Sequence, residues 1–174
     1  SMLPFNQPII LITEAGKEKE SVIRLARVGF DKMEGVLLGG FESWQQAGEP
    51  IDMIIDIEAD ELMMDLPHDP MVLVLDVRND AEFAQGHLEQ AHHLSLREMT
   101  DLLQLAQFEE EDNIYVHCAG GYRSVIACSI LKKQGIHNIR NIIGGWAKIK
   151  EQPAAKIVKG MPEMAPIDEK LTEK

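Results

Sequence analysis

At 174 residues the chain has room for one α/β domain of ordinary size with an extension, or for two small domains. Its 29 acidic and 17 basic side chains give a formal charge of -12, which sets it against nucleic acid and anionic membrane surfaces as partners. No stretch is apolar enough to span a bilayer, and the run at 8–13 has no basic segment before it, unlike a secretory leader.

In chain order, PIILIT (8–13), SVIRLARVGF (21–30) and VLLGGFESW (36–44) read as strand, helix, strand and a Gly-Gly turn into a helix. Further on, MVLVLDV (71–77) is a continuous apolar run ending around Asp76, the pattern of a strand covered on both faces. A short helix is expected over 79–85 from an Asn79 or Asp80 cap, a weak strand over 91–96, and a helix over 96–108 with Met99, Leu102, Leu103 and Leu105 at helical spacing. The acidic stretch 109–112 reads as a solvated turn. NIYVH (113–117) is the next strand, 124–134 the next helix with Gly135 ending it, NIRNII (138–143) a last strand, and 146–150 a last short helix.

Strands alternating with helices imply an α/β fold, a parallel sheet with helices on both faces, whose binding crevice lies beyond the carboxyl ends of its strands. Cys118 follows one such strand directly, and Asp76 ends another. The N-terminal segments match later ones: PIILIT with NIYVH, SVI at 21 with SVI at 124, and LLGGF with IIGGW. This is an internal duplication, incomplete because the first copy lacks a counterpart to residues 51–112. Aligned through Ser21, Ala15 falls at the cysteine position and Glu20 at the arginine position, so the first copy has lost the chemistry. A half unit of about 45 residues is too small to bury its own core. It is expected to dock against residues 51–150 or another chain as in a homodimer, or the sequence is part of a longer protein. The expected domains are 1–50 (the degenerate half, a βαβα unit), 51–152 (the complete unit) and 153–174 (an irregular, proline-punctuated extension).

Two cysteines make no disulfide framework, so a reduced, cytoplasmic setting is the default. Cys128, among Val125, Ile126, Ile130 and Leu131, reads as a small core residue. Cys118 is different, because Ala119, Gly120 and Gly121 are poor core material but good backbone for a tight loop before a helix. The helix N-terminus directs unpaired N–H groups at whatever lies before it, the glycines let further amides turn inward, and Arg123 supplies a fixed fork of donors for an oxyanion. The pattern is a nucleophilic cysteine in an anion cradle. Adjacent His92 and His93 point to opposite strand faces and make a poor chelate, and no ligand-spaced cluster asks for a metal.

VLVLDVRNDAEFAQGHL (72–88), YVHCAGGYRSVIACSILKKQG (115–135) and NIIGGWAKI (141–149) together resemble a rhodanese domain. One departure is Leu88-Glu89-Gln90 after Gly86-His87, where rhodaneses commonly continue Ile-Pro-Gly. The resemblance implies a sulfurtransferase without cofactors, passing sulfur from a small donor, thiosulfate or a persulfide, to a thiol through a Cys118 persulfide. It makes Cys118 the catalytic residue, with Ala119, Gly120, Gly121, Tyr122 and Arg123 receiving the donor and Asp76, Arg78 and Ser124 organising the loop. Four residues separate Cys118 from Arg123, one fewer than is typical of cysteine phosphatases, which favours sulfur over phosphate. A phosphatase or arsenate reductase, and a non-catalytic sulfur-carrying or regulatory module, stand as alternatives. A degenerate unit followed by an intact one also resembles the C-terminal part of fusions in which a metallo-β-lactamase-fold persulfide dioxygenase comes first.

Overall fold

The computed structural model describes residues 3–161, which fall into two compact units divided between Met53 and Ile54. In the first, β1 (Ile9–Leu11) pairs parallel with β2 (Met33–Val36), with α1 (Glu18–Arg27) between them and α2 (Gly40–Gln46) after. Among its described residues Gly40 alone is buried, and Ile10 and Leu38 are 69% and 81% exposed. The unit has the elements of a βαβα fold without a core.

The second unit is built on five strands, β3 (Ile55–Ile57), β4 (Val72–Asp76), β6 (Ala91–His93), β7 (Asn113–His117) and β8 (Ile139–Ile142), in the order β3-β8-β7-β4-β6. Every neighbouring pair is parallel, as the alternating apolar strands predicted. The central strand is β7, and Asp76 of β4 lies opposite its last residue, His117.

Because successive strand residues face opposite sides, β7 supplies both cores. Tyr115 joins Ile57, Leu62, Val74, Leu88, Ile142 and Ile149 in one cluster, with Trp146 packed at its margin. Ile114 and Val116 point the other way and are fully buried. There α6 (Tyr122–Lys133) packs on β7 and β8, burying Ala127, Cys128 and Leu131. Each large apolar side chain so buried contributes about 1.5–3 kcal/mol.

Four elements lie in stretches without a sequence signal: β3, α3 (Ala59–Asp65), β5 (His87–Leu88) and β9 (Ile157–Val158). The start of α3 is hidden because its cap is glutamate: Glu58 precedes the helix, and its N–H donates to Glu61 Oε1 at 3.1 Å. β5 and β9 pair antiparallel, and Gly160 N–H donates to the Ala84 carbonyl at 2.9 Å. Within the extension after residue 152, Ile157–Val158 thus form a short strand that clamps His87–Leu88, beside the Leu88-Glu89-Gln90 stretch where the sequence departs from the rhodanese pattern. Residues 162–174 of that extension lie outside the described residues.

The helix expected over 96–108 is broken. A 3-10 turn at Glu98–Thr100 precedes Asp101, whose extended backbone lets its carboxylate accept the Leu103 N–H at 2.9 Å and start α5 (Leu102–Leu105) afresh. An aspartate that caps a new helix competes with continuation of the old one. The remaining helices are α4 (Asp80–Gln85), opened by a reciprocal Asn79/Glu82 capping box, and α7 (Gly145–Ile149).

Candidate active site

Cys118 sits at the carboxyl end of the central strand, and its loop runs straight into α6. Gly121, in the left-handed region at φ 113°, turns its N–H onto Cys118 Sγ at 3.1 Å. Ser124, fully buried in the first turn, donates its hydroxyl to the Gly121 carbonyl at 2.8 Å and keeps Oγ 3.7 Å from Sγ. Burial pushes the Cys118 thiol up, but the Gly121 N–H, the hydroxyl and N–H of Ser124 and the Gly120 N–H together outweigh it, and the thiol ionises below its ordinary range. These are the inward-turned amides expected of Gly120, Gly121 and the helix start.

The loop is held from below by α7. Trp146 N–H donates to the Cys118 carbonyl at 2.6 Å and Ala147 N–H to the Ala119 carbonyl at 3.2 Å. Gly145, at φ 52°, makes this approach possible: a Cβ there would lie 2.2 Å from the Cys118 carbonyl oxygen. In the sequence, Gly144-Gly145 stands out only as a repeated motif, with nothing local that ties it to the site. Its function in the fold is to let one backbone carry another.

Asp76 and Arg78 form a buried pair, 0% and 2% exposed. Arg78 donates Nε to both Asp76 oxygens at 3.0 and 2.9 Å and Nη2 to Oδ2 at 2.6 Å, while its own N–H bonds Oδ1 at 3.0 Å. Asp76 finds its partner in Arg78, which supplies both a backbone and a guanidinium donor two residues away. Arg78 in turn holds the Gly86 carbonyl at 2.8 Å and the Glu82 carbonyl at 3.2 Å, and its guanidinium lies 4.5 Å from the centre of the Trp146 ring. The pair thus braces α4 and α7, the two elements that flank the loop. His117, fully buried, presents Nε2 to Asp76 Oδ2 at 3.7 Å, and burial holds it below the usual imidazole range.

Arg123 does not extend an empty fork over the loop. Its Nη1 and Nη2 meet Glu82 Oε2 and Oε1 at 2.6 and 2.7 Å, and this pairing holds the Glu82 carboxyl down at about 2. Glu82 was visible in the sequence as part of a motif, but nothing local linked it to an arginine 41 positions away. Tyr122, 90% exposed, stands at the rim. Ala119, Gly120, Gly121, Tyr122, Arg123 and Ser124 are therefore gathered around or beside Cys118, with Asp76 and Arg78 in the layer beneath. Cys128 is buried in α6, and its burial pushes the thiol up to about 12.

Residues 58–152 match the model of the rhodanese-like domain family, and the chain belongs to that family. A sulfurtransferase of Allochromatium vinosum is 29% identical over 99 residues, 55% of this chain and 91% of the relative. A tRNA uridine(34) hydroxylase of Yersinia pestis is 33% identical over 92 residues, 48% of this chain but only 26% of that protein. The crystal structure of a rhodanese-like domain protein from Staphylococcus aureus is 30% identical, covers 55% of this chain and 91% of its own, and superposes with a TM-score of 0.51.

Proposed function

We propose that this chain is a sulfurtransferase that carries sulfane sulfur on Cys118, taking it from thiosulfate or a thiol persulfide and passing it to a thiol. The observation that carries the reading is the thiol itself: Cys118 Sγ lies at the carboxyl end of the central strand, with N–H groups aimed at it and its ionisation favoured. The Cys118 thiolate attacks the outer sulfur of the donor, the donor's S–S bond breaks, and sulfite or a thiolate leaves with the bonding pair. An acceptor thiolate then attacks the outer sulfur of the Cys118 persulfide and returns Cys118 to its thiolate. The charge on the bound sulfur is met by the same amides throughout, so the loop need not reorganise between steps. Cys118 is 2% exposed, which restricts approach to a slim terminal atom. No step needs a metal or organic cofactor.

The matched relative named as a sulfurtransferase supports this chemistry. The charge of -12 weighs against a tRNA substrate for these residues. The phosphatase alternative is disfavoured because the Arg123 fork, which would hold phosphoryl oxygens, is occupied by Glu82.

The first unit is proposed as a degenerate half of a second rhodanese unit. Ile10 pairs with Gly35 and Leu11 with Val36, as Tyr115 pairs with Arg140 and Val116 with Asn141, and one constant sequence offset relates all four positions. A Cβ on Gly40 would meet the Thr13 carbonyl at 2.4 Å, the counterpart of Gly145 against Cys118. By that correspondence Thr13, rather than Ala15, stands at the cysteine position. Lacking a core, the half unit is proposed to dock on the intact domain or on a second copy. Fusion to a metallo-β-lactamase-fold dioxygenase, and a reducing cytoplasmic setting for two free cysteines, complete the proposal. Among the described residues no helix is long and apolar enough to cross a membrane.

The test is sulfur loading and turnover with thiosulfate and with cysteine persulfide, followed by intact mass and by thiocyanate formation from cyanide. One added sulfur that is absent in Cys118→Ser is the expected result. Hydrolysis of an aryl phosphate without sulfur loading would overturn it.

A further inference from the structure

We propose that Glu82 is a specificity residue of the Cys118 site: by occupying the Arg123 fork it withholds the cation that a dianionic donor would need, and so favours donors of single or no charge. This rests on the sulfur-transfer reading and narrows it to thiol persulfides over thiosulfate.

Both outer nitrogens of Arg123 are committed to the Glu82 carboxylate, at 2.6 and 2.7 Å. The carboxylate is itself fixed. Glu82 Oε2 also accepts the Asn79 N–H at 3.1 Å, and Asn79 Oδ1 accepts the Glu82 N–H at 2.9 Å, so the capping box of α4 locks the side chain that holds Arg123. Freeing the guanidinium means breaking a bidentate, charge-assisted pair whose anionic half is preorganised.

The other arginine beside the loop, Arg78, is matched in the same way by Asp76 and buried. Each of these cations is therefore paired with a carboxylate within bonding distance, so that the Arg123 guanidinium, which also faces the Cys118 thiol, brings it no net positive charge. The amides that could have met an incoming oxyanion already point at Cys118 Sγ. Glu82 stays ionised across the neutral range because its carboxyl is held at about 2 by Arg123.

A thiosulfate dianion thus gains no net charge attraction from the Arg123–Glu82 pair and meets a chain of charge -12. A thiol persulfide asks for less: Cys118–S⁻ and R–S–SH give Cys118–S–SH and R–S⁻, with one S–S bond broken, one formed and a single negative charge on each side. Tyr122, 90% exposed beside the loop, leaves an aromatic ring free to meet the organic body R.

The experiment compares kcat/KM for loading Cys118 from thiosulfate and from cysteine persulfide in wild type and in Glu82→Gln, in which glutamine preserves the cap. The expected result is a wild type that prefers the persulfide and a variant whose thiosulfate-to-persulfide ratio rises about tenfold, because one uncancelled charge acts at close range. That gain should shrink as salt is raised. A ratio that is unchanged or falls in a variant melting near wild type overturns the assignment. If the variant does not fold, the wild type decides: thiosulfate loading that falls steeply with salt reveals a free cation and overturns it, whereas loading that does not fall supports it. Should neither donor load Cys118 in wild type, the sulfur-transfer reading itself fails and this assignment goes with it.

Discussion

Gly145→Ala tests whether the cysteine loop is held in place by the backbone of α7. The added Cβ would lie 2.2 Å from the Cys118 carbonyl oxygen and 2.9 Å from its carbon. Since carbon contacts settle at about 3.5–4.0 Å, the start of α7 must retreat by about 1 Å or more. That retreat breaks or stretches the bonds from Trp146 N–H to the Cys118 carbonyl, at 2.6 Å, and from Ala147 N–H to the Ala119 carbonyl, at 3.2 Å. Two such bonds contribute about 0.5–1.5 kcal/mol each, and a left-handed alanine costs about 1–2 kcal/mol more. The expected destabilisation is about 2–5 kcal/mol in urea unfolding. A loop that shifts by a similar amount once this support is lost should also lose about a hundredfold in the rate of persulfide formation. Gly120→Ala is the control, because nothing lies within 4 Å of a Cβ at that position, and a change below about 1 kcal/mol is expected. If the two variants behave alike, the claim that α7 supports the loop is wrong.

Arg78→Ala should cost about 3–5 kcal/mol in chemical denaturation, because it strands the fully buried Asp76 carboxylate. Asp76→Asn combined with Arg78→Met should recover much of the loss, and a single-variant cost below about 1 kcal/mol would refute the bracing role. Ultraviolet titration of thiolate should show Cys118 ionising below the ordinary thiol value of about 8.5, as the difference between wild type and Cys118→Ser. Because the shift is downward, more of the nucleophile is thiolate at neutral pH than in a free thiol, and loading falls as pH drops through the lowered value. Cys118→Ser should itself show almost no thiolate through pH 10, since Cys128 is pushed up to about 12.

The sequence by itself determined the parallel α/β architecture, the strand that delivers Cys118 and the loop that follows it, because these depend on local patterns. Apolar runs specify the covered strands 72–76 and 113–117, and the glycines after Cys118 specify a backbone that turns its amides inward. Local reading failed where a short-range competitor acted, as at Asp101, which restarts a helix, or where the capping residue was atypical, as at Glu58. The tertiary structure alone decided the partners. Asp76 took Arg78, Arg123 took Glu82 from α4 instead of standing free, and Gly145 brought α7 beneath Cys118. The physical reason is common to all three: charges, hydrogen-bond donors and close backbone approaches are satisfied by whatever the fold brings within about 3 Å, and sequence distance carries no record of that.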